Sequence, residues 1–386
     1  MNNIYIAGAS SRARTTKAYL EFLYPDTKVQ AYLVSPEMDD NPGVQDGIPV
    51  LIIGEKADKS SLCELADGRV IDITCKVYLG TRGVNHQKLT SELMAAGFNK
   101  DNIIPVSVDL DTKLRNEYVA KRYKLLGKDY TKFDSLITDR QGKISQDGRG
   151  QCSSNKNITA CIYQASSAFD SILTDSYTPL KEERLLQVGA ALTDKRIADG
   201  VITDNTGDNI SEKNRQFCEL TGLYWIWKHA KEDVVGLVHY RRHFLLPDNW
   251  LEVFDDSKVD VILPVPLYVA PNVEINYKER HTPSDWDFVM GYLNEQYPED
   301  YDKAAAFFQD GFYSPCNMFI ARRQVLDELC SWMFPIIFAL ADYAGTREDA
   351  YQNRYPGFIS ERLITYFFES RRDKYRVVYA DKNFLS

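Results

Sequence analysis

The chain has 386 residues, 44% of them apolar and 26% charged, with a formal net charge of -9, the make-up of a globular protein of two domains or three. The acidic balance argues against a general nucleic-acid binder, which needs a basic footprint, but leaves room for local basic patches. Seven cysteines with no CxxC pair argue against a zinc site and for reduced thiols in a reducing compartment. In chain order, NIYIAGAS reads as a strand entering a small-residue turn, and TTKAYLEFLYP as a helix. KVQAYLVS, GIPVLII and RVIDITCKV read as strands, NHQKLTSELMAAGF as a helix ending at Gly97, and NIIPVSV as a strand again. This alternation over residues 1–110 implies βαβ units and a parallel, Rossmann-like sheet.

Gly8 and Ala9 fall where a phosphate loop would sit, with Arg12 and Arg14 nearby, yet the stretch reads GASSRA rather than GxGxxG. The plainer reading is a tight turn in a domain without a ligand. Residues 111–135 read as one charged helix. The polar run DRQGKISQDGRGQCSSNKN has no periodicity and reads as a linker, so 111–156 is helix plus linker. The start, MNNIYIAGAS, lacks the basic region and long apolar core of a signal peptide, and the run WMFPIIFALA is too short to span a bilayer. The expected location is the cytoplasm, with peripheral association at the inner membrane left open.

From 157 to 386 the pattern is again α/β. NITACIYQASS opens it as a strand, and LLQVGAAL follows as a short apolar piece. A polar loop then feeds a helix in which Asn209 or Ser211 can cap the start, and Leu220, Leu223, Tyr224 and Trp227 recur at helical spacing. VVGLVHY, VDVILPV, CNMFIARR and YRVVYAD read as strands. SDWDFVMGYLNEQY (with Ser284 as cap), QVLDELCSWMFPIIFAL and GFISERLITYFFES read as helices.

The strand VVGLVHYRR ends in His239, Arg241 and Arg242. A GT-A-type nucleotide-sugar transferase ends the corresponding strand in Asp-x-Asp, whose carboxylates hold a divalent cation on the diphosphate. Arginine forks fit phosphate oxygens and stay charged at any working pH, so Arg241 and Arg242 can clamp a departing diphosphate without a metal. Basic residues that merely pair with nearby carboxylates are the plain alternative.

Two resemblances extend these readings. The segment from NIYIAGAS to AAGFNKDNIIPVS loosely resembles the N-terminal Rossmann-like domain of bacterial sugar O- and N-acyltransferases. More specifically, TGDNISEKNRQFCELTGLYWIWKH, VGLVHYRRHF, NMFIARRQVLDELCSWMFPIIFAL and GFISERLITYFF, over about residues 158–380, resemble a bacterial family once known only as a domain of unknown function. That family occurs in capsule, exopolysaccharide and O-antigen loci, and its members are implicated as glycosyltransferases, including galactofuranosyltransferases. The resemblance implies a GT-A-like transferase domain at 157–386 behind a Rossmann-like accessory domain. With it go the expectations of a UDP-sugar donor and a saccharide or lipid-linked saccharide acceptor; inverting chemistry is expected from the base candidates below, and no cofactor or metal from the arginines that stand in for the Asp-x-Asp cation.

Beside that resemblance, Asp208, Asn209, Ser211 and Asn214 offer short polar groups for sugar or ribose hydroxyls, or simply a capped helix start. Gln187 and Gly189 would let the backbone approach a base or ribose. By topological analogy Tyr163 and Gln164 sit where uracil is held. Asn317 is placed to contact the donor sugar. Glu219, beside Trp225 and Trp227, is an acid in an otherwise apolar helix. Glu361 (next to Arg362) and Asp285 stand near helix starts as candidate general bases, with His239, His281 and Asp287 as further proton-transfer candidates. Two other readings stay open: a non-catalytic binder of sugar nucleotide or polysaccharide, and a metal-dependent transferase with Asp204 and Asp208 on the cation.

Overall fold

A computed structural model describes residues 2–37, 42–54, 62–64, 70–137 and 158–386. The expected linker falls almost wholly outside these residues. The chain forms two compact units, Met1–Asp129 with Tyr268–Ala270, and Tyr130–Leu267 with Pro271–Ser386.

The first unit alternates as its sequence predicts: β1 (Asn2–Ala7), α1 (Ser11–Leu23), β2 (Thr27–Val34), β3 (Val44–Gln45), β4 (Ile48–Ile52), β5 (Leu62–Glu64), β6 (Val70–Asp72), β7 (Lys76–Leu79), α2 (His86–Ala95), β8 (Ile103–Pro105) and α3 (Val108–Leu125). Its sheet runs β3-β4-β2-β1-β7-β8, parallel except for β3. Ala7, Leu33, Val77 and Leu79 are fully buried at its centre. RVIDITCKV is two strands, not one. Asp72 accepts bonds from the Thr74 amide (2.9 Å) and hydroxyl (2.6 Å), which turns the chain between them. The charged helix also stops early. Gly127 takes φ +65°, and residues 133–137 form a separate short helix, α4.

The second unit continues with β9 (Ala160–Ser166), β10 (Glu183–Gln187), β11 (Ile202–Thr203), α5 (Asn214–Phe217), α6 (Leu220–His229), β12 (Val234–His239), α7 (Trp250–Asp256), β13 (Val261–Pro264) and β14 (Leu267–Tyr268). Then come α8 (Val273–Arg280), α9 (Pro283–Gln296), α10 (Pro298–Phe308), β15 (Phe312–Tyr313), β16 (Phe319–Arg322), α11 (Arg323–Ala344), α12 (Tyr355–Glu369) and β17 (Val377–Ala380). The seven-stranded sheet has the order β11-β10-β9-β12-β16-β13-β17. Only β16 is antiparallel, to both β12 and β13. The uncharged run of β12 is explained by its central place: Val234, Val235, Leu237 and Val238 are fully buried between β9 and β16.

Three local expectations are corrected. The helix expected after Asn209 breaks at Cys218, whose φ is +50°, giving α5 and α6. Ser284 does not cap α9, which starts with Pro283 behind Thr282. The helix containing WMFPIIFALA is far longer than that run. By length and composition α11 could cross a bilayer, yet Leu326, Leu329, Met333 and Ile337 lie buried inside the unit.

Candidate functional site

The chain leaves β9 for β10 on one side of the sheet and returns through β12 on the other. The carboxyl ends of β9 and β12 therefore flank a topological switch point, where open α/β sheets place their ligands. A cleft of about 390 Å³ opens there. After β12 a tight turn follows at once. His239 and Arg242 exchange two backbone hydrogen bonds (3.1 Å each), and the Tyr240 amide reaches the Ala165 carbonyl at 3.1 Å. This turn presents Arg241 and Arg242 to the cleft.

Arg215 and Arg354 line the cleft as well, so four arginines face two carboxylates, Asp170 and Glu219. Among the described residues, neither Arg241 nor Arg242 makes a side-chain hydrogen bond or a carboxylate ion pair. Their recorded contacts are cation–π: Arg241 lies over Tyr240 (5.0 Å) and Phe384 (5.5 Å), and Arg242 over Phe384 (5.2 Å). The Arg241 Nε is buried without a partner. Burial raises the Asp170 carboxyl above its usual value, opposed by the Ser167 amide and by Arg241.

One wall of the cleft is a strained polar cluster. Cys218 (φ +50°) immediately precedes Glu219. Cys316 (φ +78°) and Asn317 (φ +50°) are also left-handed, which costs a non-glycine residue about 1–3 kcal/mol each. Asn317 Nδ2 donates to Glu219 Oε1 (2.8 Å) and to the Gly357 carbonyl (3.0 Å), while Ser360 Oγ donates to Asn317 Oδ1 (2.8 Å). The Cys316 amide donates to Glu361 Oε1 at 2.6 Å, and its carbonyl meets His239 Nε2, which must therefore carry that bond's proton. His239 Nε2 also lies 4.0 Å from Glu219 Oε1. Burial pulls the His239 pKa below the ordinary histidine value, against the pull of Glu219 and with the help of Arg242. Burial pushes the Glu361 carboxyl upward, against Arg362 and the Cys316 amide.

A second polar cluster lies behind Val188 and Asn214 of the cleft. Buried Asp204 accepts from the Gly189 amide (2.9 Å), the Ala190 amide (3.0 Å), Thr221 Oγ1 (2.6 Å) and Ser211 Oγ. Gly189 needs its left-handed φ of +65°, and a Cβ there would fall 2.6 Å from Asn214 Oδ1. Asn214 lines the cleft and is fixed by bonds to the Cys218 carbonyl (2.8 Å) and Thr221 Oγ1 (2.9 Å).

Residues 176–372 match the family model DUF4422, described as a domain of unknown function. The chain belongs to this family. A DUF4422 segment of that span holds Arg241, Arg242, Glu219, Asn317 and Glu361, while Asp170 and Phe384 fall outside it. The fold is similar to that of a solved apo structure titled as the bifunctional glycosyltransferase WbbM. Identity is 25% and the TM-score 0.50, over 59% of this chain and 45% of that one. The chain thus spans less than half the length of that protein. A search of curated proteins gave no match.

The remaining residues singled out in the sequence lie elsewhere in this DUF4422 chain. Tyr163 and Gln164 do not line the cleft: Tyr163 packs edge-on to Trp225 (5.9 Å) and Gln164 bonds Ser166 (3.2 Å). Gln187 is fully buried and holds the Lys195 carbonyl (2.8 Å) and Ile197 amide (3.1 Å). Asp208 bonds Tyr224 (3.0 Å), and Asn209 closes a local turn to Gly207 and Ser211. Ser211 serves Asp204 rather than a helix cap. Asp285 is fully buried and paired with Arg347 through both oxygens, with Tyr277 as a third donor. His281 stacks on Phe358 (4.1 Å), and its pKa is pushed down to about 4 by burial and by Arg362. Asp287 pairs with Lys278 on the surface (2.7 Å). Arg215 and Arg354 were missed; each lies far in sequence from the HYRR motif, and only the α5 and α12 packing brings them to it.

Among the described residues no group of three or more His, Cys, Asp or Glu side chains is arranged to hold a metal ion. The pair suggested for a cation, Asp204 and Asp208, does not fit one. Asp204 already accepts two donors on each oxygen, and Asp208 is engaged with Tyr224.

Proposed function

We propose that the chain is a glycosyltransferase that moves a sugar, galactofuranose or another hexose, from a UDP-sugar to a cell-surface polysaccharide or its lipid-linked precursor. The observation that carries this reading is the cleft of four arginines at the switch point, none of them in an ion pair with a carboxylate among the described residues. The sheet order, with one antiparallel strand between β12 and β13, supports a GT-A-like arrangement, and the WbbM likeness supports glycosyl transfer. Arg241 and Arg242 take the charge that builds on the diphosphate as the glycosidic bond to it breaks. An acceptor hydroxyl attacks the anomeric carbon from the opposite face and gives its proton to a carboxylate, which inverts the configuration.

We assign that base to Glu219. It faces the cleft, Asn317 orients it, and the strained backbone at Cys218 before it and at Asn317 across from it holds it there. Glu361 is the second reading, favoured by its raised pKa, although the Cys316 amide and Arg362 already occupy its oxygens. The reaction so written needs no metal, because the arginines supply the charge.

The test is UDP-sugar turnover with EDTA for the unmodified chain, Glu219→Gln and Glu361→Gln. Turnover persists in EDTA, and Glu219→Gln lowers it by about 10²–10⁴ while UDP still binds. The reverse ranking of the two variants moves the base to Glu361. Loss of turnover in EDTA sinks the metal-free clamp, and UDP binding without any sugar turnover favours a non-catalytic binder.

A further inference from the structure

The loop from α11 to α12 and the first turn of α12 carry aromatic rings that neither the clamp nor the base uses. Tyr351 stands 49% exposed. Its ring lies 5.0 Å from Phe358 and 5.9 Å from His281, and His281 stacks on Phe358 at 4.1 Å. The three rings form a shelf on the second unit. With its pKa pushed down to about 4, His281 is neutral at physiological pH, so the rings themselves carry no charge.

The shelf adjoins the arginine cleft at two points. Arg354, which lines the cleft, lies over the Phe358 ring at 5.9 Å. Gly357, the residue before Phe358, accepts a hydrogen bond from Asn317 Nδ2 (3.0 Å), the same nitrogen that holds Glu219. A Cβ on Gly357 would lie 4.0 Å from Glu219 Oε1. The rings therefore begin one residue from the backbone that braces the assigned base.

The exposed tyrosine is held from several sides. Asp349 Oδ1 accepts from the Tyr351 and Gln352 amides (2.8 Å each). The Gln352 side chain donates to the Arg280 carbonyl (3.1 Å) and meets His281 Nδ1 (3.3 Å). Buried Asn353 accepts from the Arg347 amide (2.9 Å) and donates to the Arg215 carbonyl (3.4 Å). Arg347, paired with Asp285, also donates to the Gln352 carbonyl (3.2 Å). The buried Asp285–Arg347 pair thus anchors the loop that presents Tyr351. A flat, uncharged ring face beside a hydrogen-bond donor matches a sugar, which offers C–H groups on one face and hydroxyls at its edge. Arg354 supplies the donor: its Nε bonds Cys218 Sγ (3.1 Å), and its outer nitrogens make no hydrogen bond among the described residues.

Resting on the transferase reading, we propose that Tyr351, Phe358 and His281 form the acceptor subsite, where the C–H face of a sugar ring stacks and its hydroxyl is directed at Glu219. The full chain, saturated with UDP, is mixed with methyl β-D-galactopyranoside or methyl β-D-glucopyranoside and read by saturation-transfer NMR. Sorbitol, which has the hydroxyls without the ring, is the control. The expected result is transfer concentrated on the protons of one ring face. Tyr351→Ala weakens glycoside binding at least about tenfold, Tyr351→Trp keeps it, and UDP affinity is the same in both. The proposal is overturned if neither glycoside shows transfer, if sorbitol binds as well, if Tyr351→Ala keeps glycoside binding, or if Tyr351→Trp loses it as Tyr351→Ala does. Weaker UDP binding in Tyr351→Ala also overturns it, by making the shelf a seat for the nucleobase. UDP binding and UDP-sugar turnover of the unmodified chain are measured in parallel. With both present, a failed glycoside test strikes the shelf alone; with both absent, the transferase reading fails first and the shelf with it.

Discussion

Arg241→Ala separates a functional arginine from a structural one, because its effects on binding and on stability point in different directions. On the stability side the variant loses two cation–π contacts, to Tyr240 and Phe384, worth about 0.5–1 kcal/mol each where exposed. It also removes a buried Nε with no partner, whose burial costs about 1–3 kcal/mol. The two effects nearly cancel, so the unfolding free energy should stay within about 1 kcal/mol of the parent. On the binding side, one charge-assisted hydrogen bond to phosphate contributes about 1.5–3 kcal/mol, which corresponds to roughly 10- to 150-fold in UDP affinity. Arg241→Lys keeps the charge but not the planar fork and should fall between. Calorimetric titration with UDP and urea unfolding on the same preparations give both numbers. Arg242→Ala should behave alike, and the double variant should lose less than the sum, since the neighbours share Phe384 and the same anion. Unchanged UDP affinity in both single variants refutes the clamp. A large stability loss with normal affinity would make the pair a structural feature of the β12 turn.

Two further predictions concern residues that chemistry suggested and geometry placed elsewhere. Asp285→Asn should cost about 3–5 kcal/mol in urea unfolding, because it leaves the Arg347 charge without its buried partner; near-parental stability with abolished turnover would restore Asp285 as a chemical group. His281 is held neutral in the folded state, with a pKa of about 4 against an ordinary value near 6.5. Its stabilising effect is complete above pH 6.5 and is lost as pH falls from there towards 4, where the unfolded chain takes up a proton that the folded chain refuses. His281→Phe, which keeps the stack on Phe358, should flatten the stability profile over that window by no more than about 2 kcal/mol once solvent screening is allowed for. A profile that does not change assigns the acid sensitivity to another group.

Much of the fold was legible because its strands are short apolar runs bounded by turns. VVGLV is central, uncharged and buried, and its abrupt change to HYRR marks the cleft. The failures have local causes. The helix through Cys218 carries ordinary helical spacing, and a left-handed cysteine leaves no compositional trace. Asp204 and Ser211 look like a metal ligand and a cap, yet they meet across seven residues in one buried knot. Asp285 and Arg347 are 62 positions apart, so nothing in the sequence joins them. Glu219 was visible as an acid in an apolar helix, but its orientation depends on Asn317, 98 positions away.

The turn at Cys316 has a consequence for how this site can vary. It holds Glu361 through its amide and His239 through its carbonyl, so the main chain, not the thiol, transmits the constraint. Selection at this position then acts on a torsion angle. Glycine or asparagine, which enter left-handed backbone readily, can stand there with both acid and imidazole still in place. A valine would keep the bulk and the apolar character and yet displace Glu361 and His239 at once. Such a position tolerates a change of chemistry and resists a change of shape.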